Sequence, residues 1–421
     1  MKHVHFIGIG GISMSAIAEI VLSKGNRVTG SDRQTSKEVE KLIANGAEIE
    51  IGQSAENIDK YNVDQNTIVV YTAAISEDDS ELVRAREVGA KVFTRSKFLG
   101  ELLKEYDKVI AVSGTHGKTT TTSMIANIFL TANRNPSILV GSQMPQIDGN
   151  VRIGGSEYMI LEACEYVDSF LDFYPETSVI TNIDADHLNY FKNLDNIKKS
   201  FVKFTENTSK NVVINANDEN TLDILPKINK NIIKTSVKDF DRNINLPVYG
   251  EHNMANAMQA IAVARLYGIE EEYIKEGLET FVTPARRFEY IGDYKNIKLY
   301  DDYAHHPTEI KTTLDAAKQL DGNTYVIFQS HTYTRTQTLY KEFVDVISKF
   351  DNLIVADIYA ARENPIEGID AQHLAKDSGG MYLGDFDDIE RYIIENTNKI
   401  DNLVSIGAGD ANQILYRLLT K

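Results

Sequence analysis

Residues 111–126 read AVSGTHGKTTTTSMIA, an apolar run that breaks into Gly114-Thr115-His116-Gly117-Lys118-Thr119-Thr120 and resumes in small and apolar residues. A strand, a glycine-rich turn and a helix start in that order hold nucleotide phosphates on backbone N–H groups at the helix N-terminus. The commoner loop of this kind has a glycine five residues before the Gly-Lys pair, where this chain has Val112. Here Gly114 and Gly117 free the backbone instead. Lys118 brings an ammonium to the β- and γ-phosphates, and the Thr119 hydroxyl suits Mg2+. A merely solvated lysine at a helix start does not account for Gly, Gly, Lys and Thr in one strand-to-helix context.

The same alternation of apolar runs and helical patterns continues in both directions, which argues for an α/β protein with mostly parallel sheets. HVHFI, RVTGSD, TIVVYTAAIS and KVFT predict strands of a doubly wound, Rossmann-like unit over residues 1–105. KVIAVS, EYMILE, TSVITNI and NVVINA predict a central P-loop ATPase-like unit over 106–283. It ends in the helix of HNMANAMQAIAVARLYG, where Met254, Ala257, Met258, Ile261 and Ala262 share one face and belong to the core. A third series, from 284 to 421, supplies a C-terminal Rossmann-like unit whose strands each run out into a polar loop. Ligands of open α/β sheets bind at such loops.

The chain has 421 residues, 42% hydrophobic and 25% charged, enough for several sizeable cores. Its net charge of −17 gives no general attraction to nucleic acid or anionic membrane, so an anionic ligand needs local capture. A single cysteine, Cys164, excludes an intrachain disulfide. The N-terminus MKHVHFIGIGG is a strand and turn without the character of a targeting segment, and no apolar stretch reaches the roughly 18 residues of a membrane span. A cytoplasmic protein without membrane insertion is expected.

Three further groups of residues carry chemistry. Gly8, Gly10 and Gly11, followed by Ser13, nearly match a dinucleotide fingerprint, with Asp32 ending the next strand where it could accept a ribose hydroxyl. NAD, FAD or a nucleotide-sugar diphosphate all satisfy that loop. Glu162 ends EYMILE and His187 follows the next strand, so both fall beside the phosphate loop as candidate metal or phosphate ligands. The third series adds Arg286, Arg287, Asp301, Asp302, His305, His306, His331 and Arg335, with the adjacent Arg286 and Arg287 candidates for a cation clamp on a transferring phosphoryl group.

Together FIGIGGISMSAIA, SGTHGKTTTT, EACEYVDSFL, DADHLNYF, GEHNMANA, RRFE, DDYAHHPTE and FQSHTYTRT resemble the Mur ligases, ATP-dependent amide-bond-forming enzymes of peptidoglycan precursor synthesis. The likeness runs from the first strand to the last, and is greatest to the branch that joins L-alanine to the carboxylate of UDP-N-acetylmuramate through an acyl phosphate. In that family the loop is of the Gly-Thr-x-Gly-Lys-Thr type, which puts Gly114 in register. His116 in the x position is similar to the muramate-binding branch.

The resemblance implies that residues 114–120 hold ATP and that Thr119, Glu162 and His187 hold Mg2+. It puts Asn253 and Asn256 near the adenine, Asp302 on the ribose and Arg287 on the γ-phosphate upon domain closure. Gly8, Gly10, Gly11, Ser13, Ser31 and Asp32 are implied to grip UDP, and Tyr303, His305, His331 and Arg335 to receive the amino acid. Lys118, His187, Arg287 and His305 form the implied catalytic set, and a monomer or homodimer is expected.

Three features bear on the assignment. Phe201 stands where other branches place a carbamylated lysine, a residue that the alanine-adding branch also lacks. Thr332 stands where many alanine-adding members have Arg, and the segment between Asp218 and Gly250 is short for the family. The rival readings are a ligase that attaches an intact tripeptide to UDP-N-acetylmuramate, a non-catalytic nucleotide-binding relative, and an NAD-dependent dehydrogenase. The last leaves the second nucleotide loop unexplained.

Overall fold

The computed structural model describes residues 2–421, apart from the Asn189 side chain. It contains three sheets in a three-domain α/β arrangement, distributed over two compact units. One unit is formed by Met1–Asn245 and Met254–Val282, the other by Leu246–Asn253 and Thr283–Lys421.

In the first unit, the N-terminal sheet has the parallel order Glu48–Ile51, Arg27–Asp32, His3–Ile7, Ile68–Tyr71, Lys91–Thr94. The strand order reverses beside His3–Ile7, so the loop after that strand opens at a topological switch point, where such sheets bind ligands. The central sheet runs Asn231–Thr235, Asn211–Asn215, Thr177–Ile180, Lys108–Ser113, Tyr158–Glu162, Ser137–Met144, Gly149–Arg152. Only its last pair is antiparallel. Lys108–Ser113 is central and its last five residues are buried, which aims the loop that follows out of the sheet's carboxyl end. One apolar core runs through both sheets, from Val4, Phe6 and Ile17 to Leu161, Phe201 and Ile214.

The second unit holds a six-stranded sheet in the order Glu289–Tyr294, Ile297–Asp302, Asn402–Ile406, Thr324–Phe328, Leu353–Val355, Met381–Tyr382, antiparallel only in its first pair. Its two faces are packed separately. Val326 and Phe328 enter a core with Phe343 and Leu374, while Ile327 between them enters another with Ile389 and Ile414, the period-two alternation of a strand buried on both sides.

The structure departs from expectation in several elements. TIVVYTAAIS is a strand only over Ile68–Tyr71 before the chain turns. Glu48–Ile51, Asn231–Thr235 and Met381–Tyr382 are edge strands too polar or too short to stand out from sequence. The helix Glu251–Leu266 is not buried along one face: Asn256 through Ile261 are all buried, while Met254 and Ala262 are only partly covered. Its polar Gln259 is accommodated because its amide donates to the Ile180 carbonyl at 2.8 Å. No helix among the described residues is long and apolar enough to cross a membrane.

Candidate functional site

The phosphate loop joins Lys108–Ser113 to the helix Lys118–Thr131 and is tied down by the segment after Thr177–Ile180. Asn182 Oδ1 accepts from His116 N at 2.8 Å, and its amide donates to the His116 carbonyl at 2.9 Å. Thr115 Oγ1 accepts from Asp184 N at 2.8 Å, and Thr181 Oγ1 donates to the His116 carbonyl at 2.6 Å. Gly114, at φ +136°, has no room for a side chain: a Cβ there would lie 1.9 Å from Thr181 Oγ1. Gly117 caps the helix at φ +82°, and a Cβ would meet Asn256 Oδ1 at 2.7 Å. Glycine at both positions is thus a requirement of conformation and of close approach.

Lys118 folds back over this loop, donating to the carbonyls of Gly114 at 2.6 Å and Thr115 at 3.0 Å. Its main partner is Glu165, only 2% exposed, with Nζ 3.2 Å from Oε1 and 3.0 Å from Oε2. Burial opposes the ammonium charge, but Glu165, Cys164 and Glu162 more than offset it and hold the lysine above its ordinary pKa. Glu165 Oε2, despite this proximity, makes no hydrogen bond of good geometry. Thr119 Oγ1 donates to Glu162 Oε2 at 2.9 Å, and Gly141 N donates to the same oxygen at 3.0 Å. His187, at φ +53°, places Nε2 3.9 Å from Glu165 Oε1, with its ring 4.7 Å from that of Tyr166. Thr120 is buried in the helix's first turn.

The Thr119 hydroxyl and the Glu162 carboxylate are hard oxygen donors held side by side, a chemistry that suits Mg2+. Glu165 was missed from sequence, although it lies three residues after Glu162 in EACEYVDSFL. Its burial against Lys118 is a tertiary fact with no local signature. Phe201 is fully buried among Phe170 and Phe204, with ring centroids 5.3 Å apart to Phe170, so an apolar side chain fills that position.

The first loop is gathered around Arg27–Asp32. The Ser31 carbonyl accepts from Gly8 N and Ile9 N, both at 2.9 Å, and Asp32 Oδ2 accepts from Gly10 N at 2.7 Å. Asp32 therefore clamps the loop, a use the sequence did not suggest. The Ser31 side chain is buried and faces inward, donating to Glu81 Oε2 at 2.7 Å, while Glu81 Oε1 lies 2.9 Å from His5 Nε2. What Ser31 offers the loop is its carbonyl. Gly11 caps the helix Ile12–Ser23 without a side-chain cap bond.

In the second unit, Arg286 is a lock: Nε donates to Asp301 at 3.1 Å and Nη2 to the Gly407 carbonyl at 2.6 Å. Arg287 lies over the Tyr303 ring at 5.8 Å. Asp302 is buried and accepts from Phe288 N, Ala304 N and Thr313 Oγ1 at 2.7, 2.8 and 2.9 Å. Burial outweighs the Arg287 charge and these bonds, pushing its pKa up to about 6. His305 Nδ1 faces the Tyr303 carbonyl at 2.9 Å, and the His305 and His331 rings are 6.3 Å apart. His331 stacks on Tyr359, and burial, then Arg335 and His305, lower its pKa to about 4. Thr332, at φ +68°, opens the helix Tyr333–Thr338 that carries Arg335. Asn253 and Asn256 lie one turn apart on the helix Glu251–Leu266.

Three family models match the chain in succession: the Mur ligase family catalytic domain over residues 3–107, the Mur ligase middle domain over 112–245, and the Mur ligase glutamate ligase domain over 286–409. The chain belongs to the Mur ligase family. Among curated Mur ligases, the UDP-N-acetylmuramate–L-alanine ligase of Caldicellulosiruptor bescii is 44% identical over 455 residues, covering 100% of this chain and 99% of the relative. The enzyme of the same name from Clostridium acetobutylicum is 44% identical, covering 100% and 98%. An aligned span longer than the 421 residues present fits a chain with a deletion relative to these enzymes. Among solved Mur ligases, the UDP-N-acetylmuramate-alanine ligase of Thermotoga maritima superposes with a TM-score of 0.81 at 28% identity, covering 100% of this chain and 99% of the other. A murein peptide ligase from Psychrobacter arcticus, at 24% identity and a TM-score of 0.69, covering 100% and 98%, shares the fold.

Proposed function

We infer that this Mur ligase joins L-alanine to the carboxylate of UDP-N-acetylmuramate with cleavage of ATP, a step of peptidoglycan precursor synthesis. The observation that carries this reading is the full-length identity to enzymes of that name, in a chain whose glycine-rich loop leads into Lys118 paired with Glu165 and Thr119 bonded to Glu162. Nucleotide substrates and an acidic composition agree with a cytoplasmic enzyme, and it is proposed to act as a monomer or homodimer.

The loop amides of residues 114–117 and the Lys118 ammonium receive the β- and γ-phosphates, the ammonium exchanging its contacts with the Gly114 and Thr115 carbonyls for phosphate oxygens. Thr119, Glu162 and His187 are assigned to Mg2+, which supplies charge neutralisation at the transferring phosphoryl group. Asn253 and Asn256 are assigned to the adenine and Asp302 to the ribose, since three hydrogen bonds leave its carboxylate room for another. Arg287 is assigned to the γ-phosphate.

Gly8, Gly10, Gly11 and Ser13 take the UDP diphosphate, with Ser31 and Asp32 fixing the loop's shape. The muramate carboxylate attacks the γ-phosphorus, the bond to the β-phosphate oxygen breaks, and ADP leaves. The alanine amine then attacks the acyl carbon, and phosphate departs as the amine proton is lost. Tyr303, His305, His331 and Arg335 receive the amino acid. His331 is neutral at pH 7 and can accept a hydrogen bond from the ammonium, while Arg335 suits its carboxylate. Orientation and charge neutralisation supply most of the acceleration.

The test is ADP release with ATP, Mg2+ and UDP-N-acetylmuramate, comparing L-alanine with the L-Ala-D-Glu-diaminopimelate tripeptide. Turnover with alanine is expected; turnover with tripeptide alone would assign the recycling reaction instead.

A further inference from the structure

We propose that Arg95 binds the diphosphate of the UDP-sugar, a role that deepens the reading of the first loop given above and rests on it. Arg95 follows the strand Lys91–Thr94 and opens the helix Arg95–Leu103. Its guanidinium is turned inward and donates from Nη1 to Ser13 Oγ at 2.6 Å, across 82 positions of sequence. Ser13 lies in the first turn of the helix Ile12–Ser23, directly after Gly8–Gly11, and that turn carries no acidic residue.

The charge balance around Arg95 is the telling feature. Arg27, Arg84, Arg86 and Arg265 of the same unit are paired with carboxylates nearer the surface, while Arg33, Arg134 and Arg242 are exposed, and Arg152 spends its donors on the Pro136 carbonyl and the Asn135 side chain. Arg95 is partly buried, burial lowers its pKa, and none of the described carboxylates lies within 4.0 Å of it. Its one polar side-chain partner among the described residues is the neutral Ser13 hydroxyl. The neighbouring Cys164 supplies no compensating charge, because burial pushes its thiol upward and keeps it protonated at neutral pH.

A desolvated cation without a counter-ion is costly, whereas the same cation beside an anionic ligand is stabilising. Only one of the five guanidinium N–H donors is used by Ser13, and Ser13, accepting from Arg95, keeps its own O–H to donate. Guanidinium, hydroxyl and the backbone N–H groups of the loop together form a donor set suited to a diphosphate, for which the planar fork of arginine is the fitting cation.

The experiment is titration of full-length protein with UDP and with uridine, the latter by ligand-observed NMR, for wild type, Arg95→Met and Arg95→Lys. Steady-state kinetics against UDP-N-acetylmuramate and ATP accompany it. Arg95→Met is expected to weaken UDP by roughly 10–100-fold, the worth of one or two charge-assisted hydrogen bonds, with uridine unchanged. Arg95→Lys should recover part of the loss, and KM should rise for the UDP-sugar but not for ATP. Equal loss of UDP and uridine would make Arg95 a structural residue and overturn the proposal. Unchanged UDP affinity with weakened UDP-N-acetylmuramate would transfer Arg95 to the muramate carboxylate and also overturn it. Wild-type protein that binds ATP but no UDP would overturn the UDP-sugar reading itself.

Discussion

Replacing Lys118 by Ala removes more than a phosphate ligand, because the ammonium is also the partner of the buried Glu165 carboxylate. Breaking a buried pair from one side costs about 3–5 kcal/mol, since the remaining charge is left desolvated. That is a large share of the roughly 5–15 kcal/mol by which proteins of ordinary size are stable. The carbonyls of Gly114 and Thr115, both in buried residues, lose a donor at the same time. Lys118→Ala is therefore expected to lower the urea midpoint markedly as well as to cut turnover by at least about 100-fold.

The double variant Lys118→Ala with Glu165→Gln should regain stability, with a coupling of about 0.5–3 kcal/mol, while staying inactive. Because the Lys118 pKa is raised in the folded state, the pair's contribution is complete at neutral pH and is lost only as pH climbs past the unfolded lysine value of about 10.4. Urea unfolding followed by circular dichroism, at pH 7 and above pH 10, measures all of this. A single variant as stable as wild type, or a double variant no more stable than the single one, would refute the reasoning.

Gly114→Ala should abolish ATP binding, because a Cβ 1.9 Å from Thr181 Oγ1 forces the loop off the 181–184 segment; ATP titration of the folded variant checks it. Glu81→Ala should destabilise the first unit by about 1–3 kcal/mol for each of the buried groups it strands, His5 and Ser31, and Glu81→Gln by less, read from urea melts. His331 is near 4 in the folded chain against about 6.5 when unfolded, so the unfolded chain binds more protons between those values. Stability should rise with pH through that window, to which His3 and His252, both lowered to about 4 chiefly by burial, also contribute, and the slope should be shallower in His331→Asn.

The elements legible in sequence are those whose signal is local. A strand, two glycines and Lys118-Thr119 announce a phosphate loop by themselves, and Gly8–Gly11 does the same more weakly. Glu162 and His187 could be nominated because the loops that leave one edge of a parallel sheet fall on the same side as the glycine-rich loop. Long-range partnerships were invisible: His5 with Glu81, 76 positions apart, Ser13 with Arg95, and Lys118 with Glu165. Each is a polar pair whose meaning comes from burial, which no single residue advertises. Asp32 was read as a ligand contact because a carboxylate at that position has two possible uses, toward a sugar or toward the loop, and only coordinates distinguish the Gly10 amide as its partner. The helix Glu251–Leu266 misled for a related reason, since packing around most of its circumference makes the apolar stripe a poor guide to its buried face.

The measurement that bears most directly on the account is the fate of oxygen during turnover. UDP-N-acetylmuramate labelled with 18O in its carboxylate is converted with ATP, Mg2+ and L-alanine, and the released phosphate is examined by mass spectrometry. Attack of the carboxylate on the γ-phosphorus followed by displacement at the acyl carbon predicts one labelled oxygen in each phosphate molecule, formed only when alanine is present. Unlabelled phosphate accompanying the alanine adduct would contradict the acyl phosphate and with it the roles given to Lys118, Thr119 and Glu162.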